Sequence, residues 1–136
     1  GLMESVAKAV KENGGRVFGV VPQKLVRNNM VSDHIDITFH CDALSDRKQW
    51  LIGESDIMVA LPGSMGTLDE AFSAMAENTF GLHQKKVIFW NINGFWDEFF
   101  HFLDSLKAKN VVTKPYEEVM LRADTLDEVI RLIEGS

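Results

Sequence analysis

Val59-Ala60-Leu61-Pro62-Gly63-Ser64-Met65-Gly66-Thr67-Leu68-Asp69-Glu70 changes character in its middle. The apolar run over 57–61 reads as a buried parallel strand, and it stops at Pro62-Gly63, where the chain must turn. Beyond the turn, Thr67 is placed as a helix N-cap, and Leu68, Phe72, Met75 and Ala76 recur at helical spacing behind it. A strand, a tight glycine-containing loop and a helix start leave backbone N–H groups pointing at an anion, for which a phosphate is the natural guest. Glu70, in the first turn of that helix, is the one carboxylate beside the guest and the candidate catalytic group. An ordinary strand-to-helix turn also uses Gly and Pro, and a carboxylate near a helix start is also a common dipole partner, a role that suits Asp69 better.

Outward from this stretch, strands and helices alternate. Residues 2–12 form an amphipathic helix with Leu2, Val6, Ala9 and Val10 on one face, closed by Asn13-Gly14-Gly15. Residues 16–21 form a short apolar strand stopped by Pro22, 23–33 a loop without clear period, and 35–39 a half-exposed strand. Residues 43–54 make a helix with Leu44, Trp50 and Leu51 on its apolar side. Residues 86–92 are a continuous apolar strand, followed by an Asn93-Gly94 turn and a helix over 95–109 with a stripe of Phe95, Phe99, Phe102, Leu103 and Leu106. A short edge strand over 119–122 precedes Thr125-Leu126-Asp127-Glu128, a capping box that opens the last helix. Such alternation predicts an α/β fold, a doubly wound, Rossmann-like parallel sheet with helices on both faces.

The 136 residues, 46% of them apolar, suit one domain with a sizeable core. A formal charge of −6 argues against a general nucleic-acid binder, so a nucleotide here is bound singly. One cysteine, Cys41, excludes an internal disulfide, and no Cys/His cluster has zinc spacing, which points to a reducing cytoplasm. No apolar run approaches the roughly 20 residues that span a bilayer. His34, His40, His83 and His101 share no spacing that suggests a metal or a triad.

The run Pro62-Gly63-Ser64-x-Gly66-Thr67-x-x-Glu70 resembles the Pro-Gly-Gly-x-Gly-Thr-x-x-Glu signature of the LONELY GUY (LOG) family, which hydrolyses nucleoside 5′-monophosphates to a free base and ribose 5-phosphate. Arg47-Lys48, one helix upstream, is similar to that family's Arg-Lys pair, and Gly1-Leu2-Met3 to the end of its Gly-rich segment. The resemblance implies a homodimer that needs no metal or organic cofactor. It also implies that 1–136 form a nucleotide-binding domain whose first strand and Gly-rich loop would lie upstream of Gly1.

By that resemblance, Gly63, Ser64, Gly66 and Thr67 hold the phosphate of a purine nucleoside 5′-monophosphate, AMP or a cytokinin riboside monophosphate. Glu70 stabilises the sugar cation that forms as the base leaves and positions water, and the planar fork of Arg47 orients the substrate. Lys48 adds a point charge on the phosphate, and Met3 matches a position near the ligand, although a Met on an apolar helix face also serves as filler. Ser64 departs from the family's second Gly: it either bears a cost of positive φ and crowds the loop, or donates its hydroxyl to the phosphate. Ser73, Asn78 and Thr79 fall at positions on the base side and differ from the common pattern. A non-catalytic nucleotide sensor on the same fold is the alternative reading. A pyridoxal-type decarboxylase would need a lysine ready for a Schiff base, and nothing around Lys48 or Lys24 supplies one.

Overall fold

The computed structural model describes residues 1–26 and 31–136. The chain falls into two compact units, Gly1–Glu54 and Ser55–Ser136. In the first, α1 (Leu2–Glu12) leads to β1 (Phe18–Pro22), a short helical turn α2 (Gln23–Val26), β2 (Ile37–Cys41) and α3 (Leu44–Glu54). β1 and β2 pair in parallel, from Phe18 opposite Ile37 to Pro22 opposite Cys41. Of the segment read as a loop over 23–33, the first four residues are thus helical, and 27–30 lie outside the described residues.

Side-chain ties fix both ends of this small sheet. The Val17 amide donates to Asp36 Oδ2 at 2.7 Å, and Lys11 of α1 hydrogen-bonds the other oxygen of the same carboxylate. Phe39 stacks on Trp50 of α3 with ring centroids 4.0 Å apart, and on Phe18 at 6.3 Å. Two helix faces differ from the periodicity. On α1, Leu2 and Val6 are exposed and Ala7 is the buried residue, because the helix presents its small side chain to the core. On α3, Leu44 is exposed and Ile52 is buried, the helix being turned so that Trp50 lies along Phe39.

The second unit holds β3 (Met58–Ala60), α4 (Met65–Thr79), β4 (Val87–Trp90), α5 (Asp97–Ala108), β5 (Met120–Ala123) and α6 (Leu126–Glu134), with 3₁₀ turns before α5 and before β5. Its three strands are parallel in the order β3-β4-β5. Central β4, Val-Ile-Phe-Trp, is covered on both sides, as its unbroken apolar sequence requires. Successive side chains alternate. Ile88 packs with Ala123 and with Val129 of α6, while fully buried Phe89 faces Trp96, Phe99 and Phe100 at ring distances of 5.4, 4.9 and 6.1 Å. An edge contact of 5.7 Å between Phe72 and Phe99 puts α4 beside α5 on the Phe89 face. Right-handed crossovers between parallel neighbours demand that arrangement, and α6 takes the opposite face. The expected α/β architecture, parallel strands alternating with helices in a Rossmann-like manner, is therefore what the chain adopts.

Candidate functional site

β3 ends at Ala60, and Leu61-Pro62-Gly63 carry the chain off the sheet into α4. The N-cap of α4 is Ser64, with φ −118° and ψ −140°, and its carbonyl accepts the first helical bond from the Leu68 amide at 3.0 Å. This corrects the placement of Thr67 as the cap: the helix starts earlier, and Thr67 lies inside its first turn. The helix extends back because Gly66, which the sequence reading assigned to the loop, accepts helical geometry at a modest cost. Ser64 also escapes the cost of positive φ foreseen for it, since its backbone is extended.

Ser64 makes no side-chain capping bond. A serine at this position ordinarily spends its oxygen on an amide of the first turn. Here the amides of Met65, Gly66 and Thr67, which have no acceptor within the helix, form a mouth at which Ser64, Met65 and Gly66 are exposed. Gly63 is glycine for reasons of space: a β-carbon there would stand 2.9 Å from Thr67 Cβ and closer still to Thr67 Oγ1. The Thr67 hydroxyl is thus folded back over the turn. At Gly66 an added β-carbon would meet nothing within 4 Å, so the mouth is open.

Glu70 is half-buried. With the helix starting at Met65, it belongs to the second turn, which corrects its first-turn placement, and no acidic residue occupies the first turn of α4. The dipole interaction falls off within one turn, so it gives little account of either Asp69 or Glu70. Glu70 is three residues from Thr67 and four from Gly66, which puts all three on one face of α4 with β-carbons about 5–6 Å apart. Helical Cα–Cβ bonds tilt toward the N-terminus, so its side chain leaves the helix in the direction of the mouth.

Arg47, Lys48 and Met3 belong to the first unit. Half-buried Arg47 of α3 donates from Nε to the Val20 carbonyl of β1 at 3.0 Å, so it is anchored rather than a freely solvated charge. Lys48, also half-buried, follows it about 100° around the helix. Met3 is 77% exposed on α1 and fills no core. The second unit therefore brings Gly63, Ser64, Gly66, Thr67 and Glu70 together, the first anchors Arg47 beside Lys48, and Met3 stands on a separate helix.

Two base-side expectations change. Asn78 is 1% exposed; its amide donates to the carbonyls of Lys85 (2.7 Å) and Glu118 (3.3 Å), and its oxygen accepts from Lys114 at 2.7 Å. Thr79 donates back to the Met75 carbonyl. At 1.5 Å of rise per residue, Asn78 is about 20 Å along the helix from Ser64, and its polar atoms are spent on the fold.

Sequence reading missed a polar cluster at the carboxyl ends of β4 and β5. Asn91 is 2% exposed; its amide donates to Asp97 and Asp124, each at 2.8 Å, and its oxygen accepts from the Trp96 amide at 2.7 Å. Arg122 closes the cluster, 2.7 Å from Asp124 and 3.2 Å from Asp97, with its guanidinium over the Phe100 ring. The Arg122 hydrogen bonds, and then the Asn91 amide, hold the Asp124 carboxyl below the usual carboxylate range. This cluster fastens the turn at Asn93 and Gly94, where φ is +52° and +72°. The parallel register of β3 with β4 sets the carboxyl ends of these two strands side by side. An isolated asparagine directly after an apolar strand was the available signal.

Among the described residues no group of three or more His, Cys, Asp or Glu could hold a metal ion, and no helix is long and apolar enough to cross a membrane. What fold and site define is an α/β protein with an exposed helix start at the carboxyl end of a parallel strand and an acid one turn further along. The family described as "Possible lysine decarboxylase" matches over residues 3–133, and the chain belongs to that family, the one that includes the LONELY GUY (LOG) proteins. In Oryza sativa subsp. japonica it is similar to "Probable cytokinin riboside 5'-monophosphate phosphoribohydrolase LOGL9", with 30% identity over 98% of this chain and 59% of that protein. It also matches that organism's "Cytokinin riboside 5'-monophosphate phosphoribohydrolase LOG", with 28% identity over 98% and 55%. The LOG2 protein of the same name in Arabidopsis thaliana is 26% identical over 98% and 63%. The chain thus spans between 55% and 63% of the length of these three relatives.

Proposed function

We propose that this chain is the nucleotide-binding part of a nucleoside 5′-monophosphate phosphoribohydrolase, acting on AMP or a cytokinin riboside monophosphate. The observation that carries the reading is the uncapped start of α4, with the unspent Ser64 hydroxyl at its mouth and Glu70 one turn behind on the same face. The names of the relatives support the substrate class.

In this reading the first amides of α4, with Ser64 and Thr67, receive the 5′-phosphate and so fix the distance from phosphate to ribose. Arg47 and Lys48 add positive charge to the phosphate or sugar oxygens, and Met3 lies against the ligand. The bond between C1′ and the base nitrogen breaks with its electron pair leaving on the base, and positive charge develops over C1′ and the ring oxygen. The Glu70 carboxylate stabilises that charge and accepts a proton from the water whose oxygen bonds to C1′, while the base takes up a proton. The products are ribose 5-phosphate and free base.

Chromatography of the products from AMP and from isopentenyladenosine monophosphate tests the reading. Free base is expected from at least one of them, and unphosphorylated nucleosides are expected to react weakly or not at all, lacking the anchor. Glu70→Gln is expected to lower kcat by about 10²–10⁴ while nucleotide binding persists. Nucleotide binding without turnover in the wild-type protein would favour a sensor instead.

A further inference from the structure

We propose that the cleft at the amino ends of β3 and β4 is a second binding site, for a small organic anion with an apolar body and one acidic head group. The cleft holds about 530 Å³, a volume typical of small-molecule sites, and its lining comes from the second unit. Ile57 and Lys86 stand just before β3 and β4, and Arg131 and Leu132 belong to the last turn of α6. The cleft therefore lies at the opposite end of the strands from Ser64 and Glu70, which follow the carboxyl end of β3.

The lining selects the occupant. Ile57, Leu121 and Leu132 pack against buried Ile88, and all four line the cleft, so its inner wall is aliphatic. With them stand Lys85, Lys86 and Arg131 against a single carboxylate among the described lining residues, Asp56. That is a local excess of positive charge in a chain whose formal charge is −6. Lys86 Nζ donates to the Glu117 carbonyl at 2.8 Å and Arg131 Nε to the Asp127 carbonyl at 3.4 Å, and neither bond neutralises the cation. The Arg131 and Ile133 carbonyls of α6, which would repel an anion, accept from the Gly135 and Ser136 amides at 3.0 and 3.4 Å. His83 adds a donor to the lining. Its Nδ1 accepts from the Lys85 amide at 3.0 Å, which puts the ring proton on Nε2. Nε2 is buried with no hydrogen-bond partner among the described residues, Glu77 Oε2 standing 3.8 Å away. A buried donor left unspent is exceptional in a folded protein and is accounted for when a ligand supplies the acceptor. A cationic guest would meet three like charges, and a wholly polar one would leave the aliphatic wall wet.

Isothermal titration of the full chain with octanoate is the test, beside acetate, 1-octanol and octylammonium. One octanoate per chain is expected, with a dissociation constant of about 0.1–1 mM. Shortening the probe to hexanoate is expected to weaken binding about tenfold, since two methylenes leave the aliphatic wall. Acetate, 1-octanol and octylammonium are each expected to bind at least tenfold more weakly than octanoate. Arg131→Gln and Lys86→Gln, both at exposed positions, are expected to weaken octanoate at least threefold while the thermal melt stays in place. If either variant melts early, the other and the probe series decide. Saturating AMP is expected to leave the octanoate affinity unchanged, because the two guests occupy opposite ends of the strands. No octanoate binding at millimolar concentration, equal binding of octanoate and 1-octanol, indifference to both substitutions, or competition with AMP overturns the proposal. Octanoate binding is read directly, so a chain that binds it and releases no base would count against the proposed chemistry and leave this site standing.

Discussion

Thr67 folds its hydroxyl back over Gly63, occupying the space where a side chain at residue 63 would begin. Gly63→Ala must displace Thr67 or open the turn, at a cost of about 1–3 kcal/mol. Gly66→Ala meets open space inside a helical turn, and is expected to stabilise the fold by about 0.5–1 kcal/mol. Urea denaturation should therefore move in opposite directions for the two variants. Both should raise the KM for a nucleotide, the first by misplacing Thr67 and the second by filling the mouth. Equal stability changes would show that the close approach at Gly63 carries no constraint.

Ser64 leaves its hydroxyl uncommitted at the N-cap. Glycine is nearly as good a cap as serine, so Ser64→Gly is expected to change stability by only a few tenths of a kcal/mol. Loss of a hydrogen bond to a charged phosphate would cost about 1.5–3 kcal/mol of binding, at least a tenfold rise in KM with kcat unchanged. Steady-state kinetics would read it, and an unchanged KM would place the hydroxyl outside the cradle.

Asn91 is buried with three side-chain hydrogen bonds. Asn91→Ala orphans the Trp96 amide and removes two donors from carboxylates, for an expected loss of about 2–4 kcal/mol. Asn91→Asp should be worse, because it sets a third carboxylate against Asp97 and Asp124. Denaturant midpoints rank the two, and a milder effect for Asp would mean that the cluster takes up a proton.

The Arg122 and Asp124 pair predicts a pH dependence. Asp124 has its folded pKa lowered, chiefly by Arg122. Its stabilisation is therefore complete above the unfolded value of about 3.9 and is lost as pH falls through the folded value. Arg122→Met removes the cause, so stability should fall less steeply in the variant than in the wild-type protein below about pH 5. Urea titrations between neutral and acid pH compare the slopes, and identical slopes would show that Arg122 does not hold the carboxylate.

The capping box shows why some elements were legible from local sequence. Thr125 Oγ1 accepts from the Glu128 amide and Glu128 Oε2 from the Thr125 amide, each at 3.2 Å, as their spacing foretold. Both partners lie within one turn, so no distant contact could overrule them. The 3-residue error at the start of α4 has the opposite cause. Ser64 and Thr67 are both good caps by type, and what separates them is whether Gly66 bends into the loop or joins the helix.

The alternation of strands and helices, their parallel pairing and the strand-turn-helix stretch at Pro62-Gly63 were determined by the sequence itself, because apolar runs, turn residues and helical period act over a few neighbours. Tertiary structure alone decided that Asn78 is consumed by the fold and that Asn91 gathers two carboxylates and a backbone amide. It also decided that the α5 stripe is only part core, with Leu103 buried and Phe102 exposed. Those outcomes depend on which distant segments arrive at the same point, and a residue's type states its appetite for partners without stating which partners come within 3 Å.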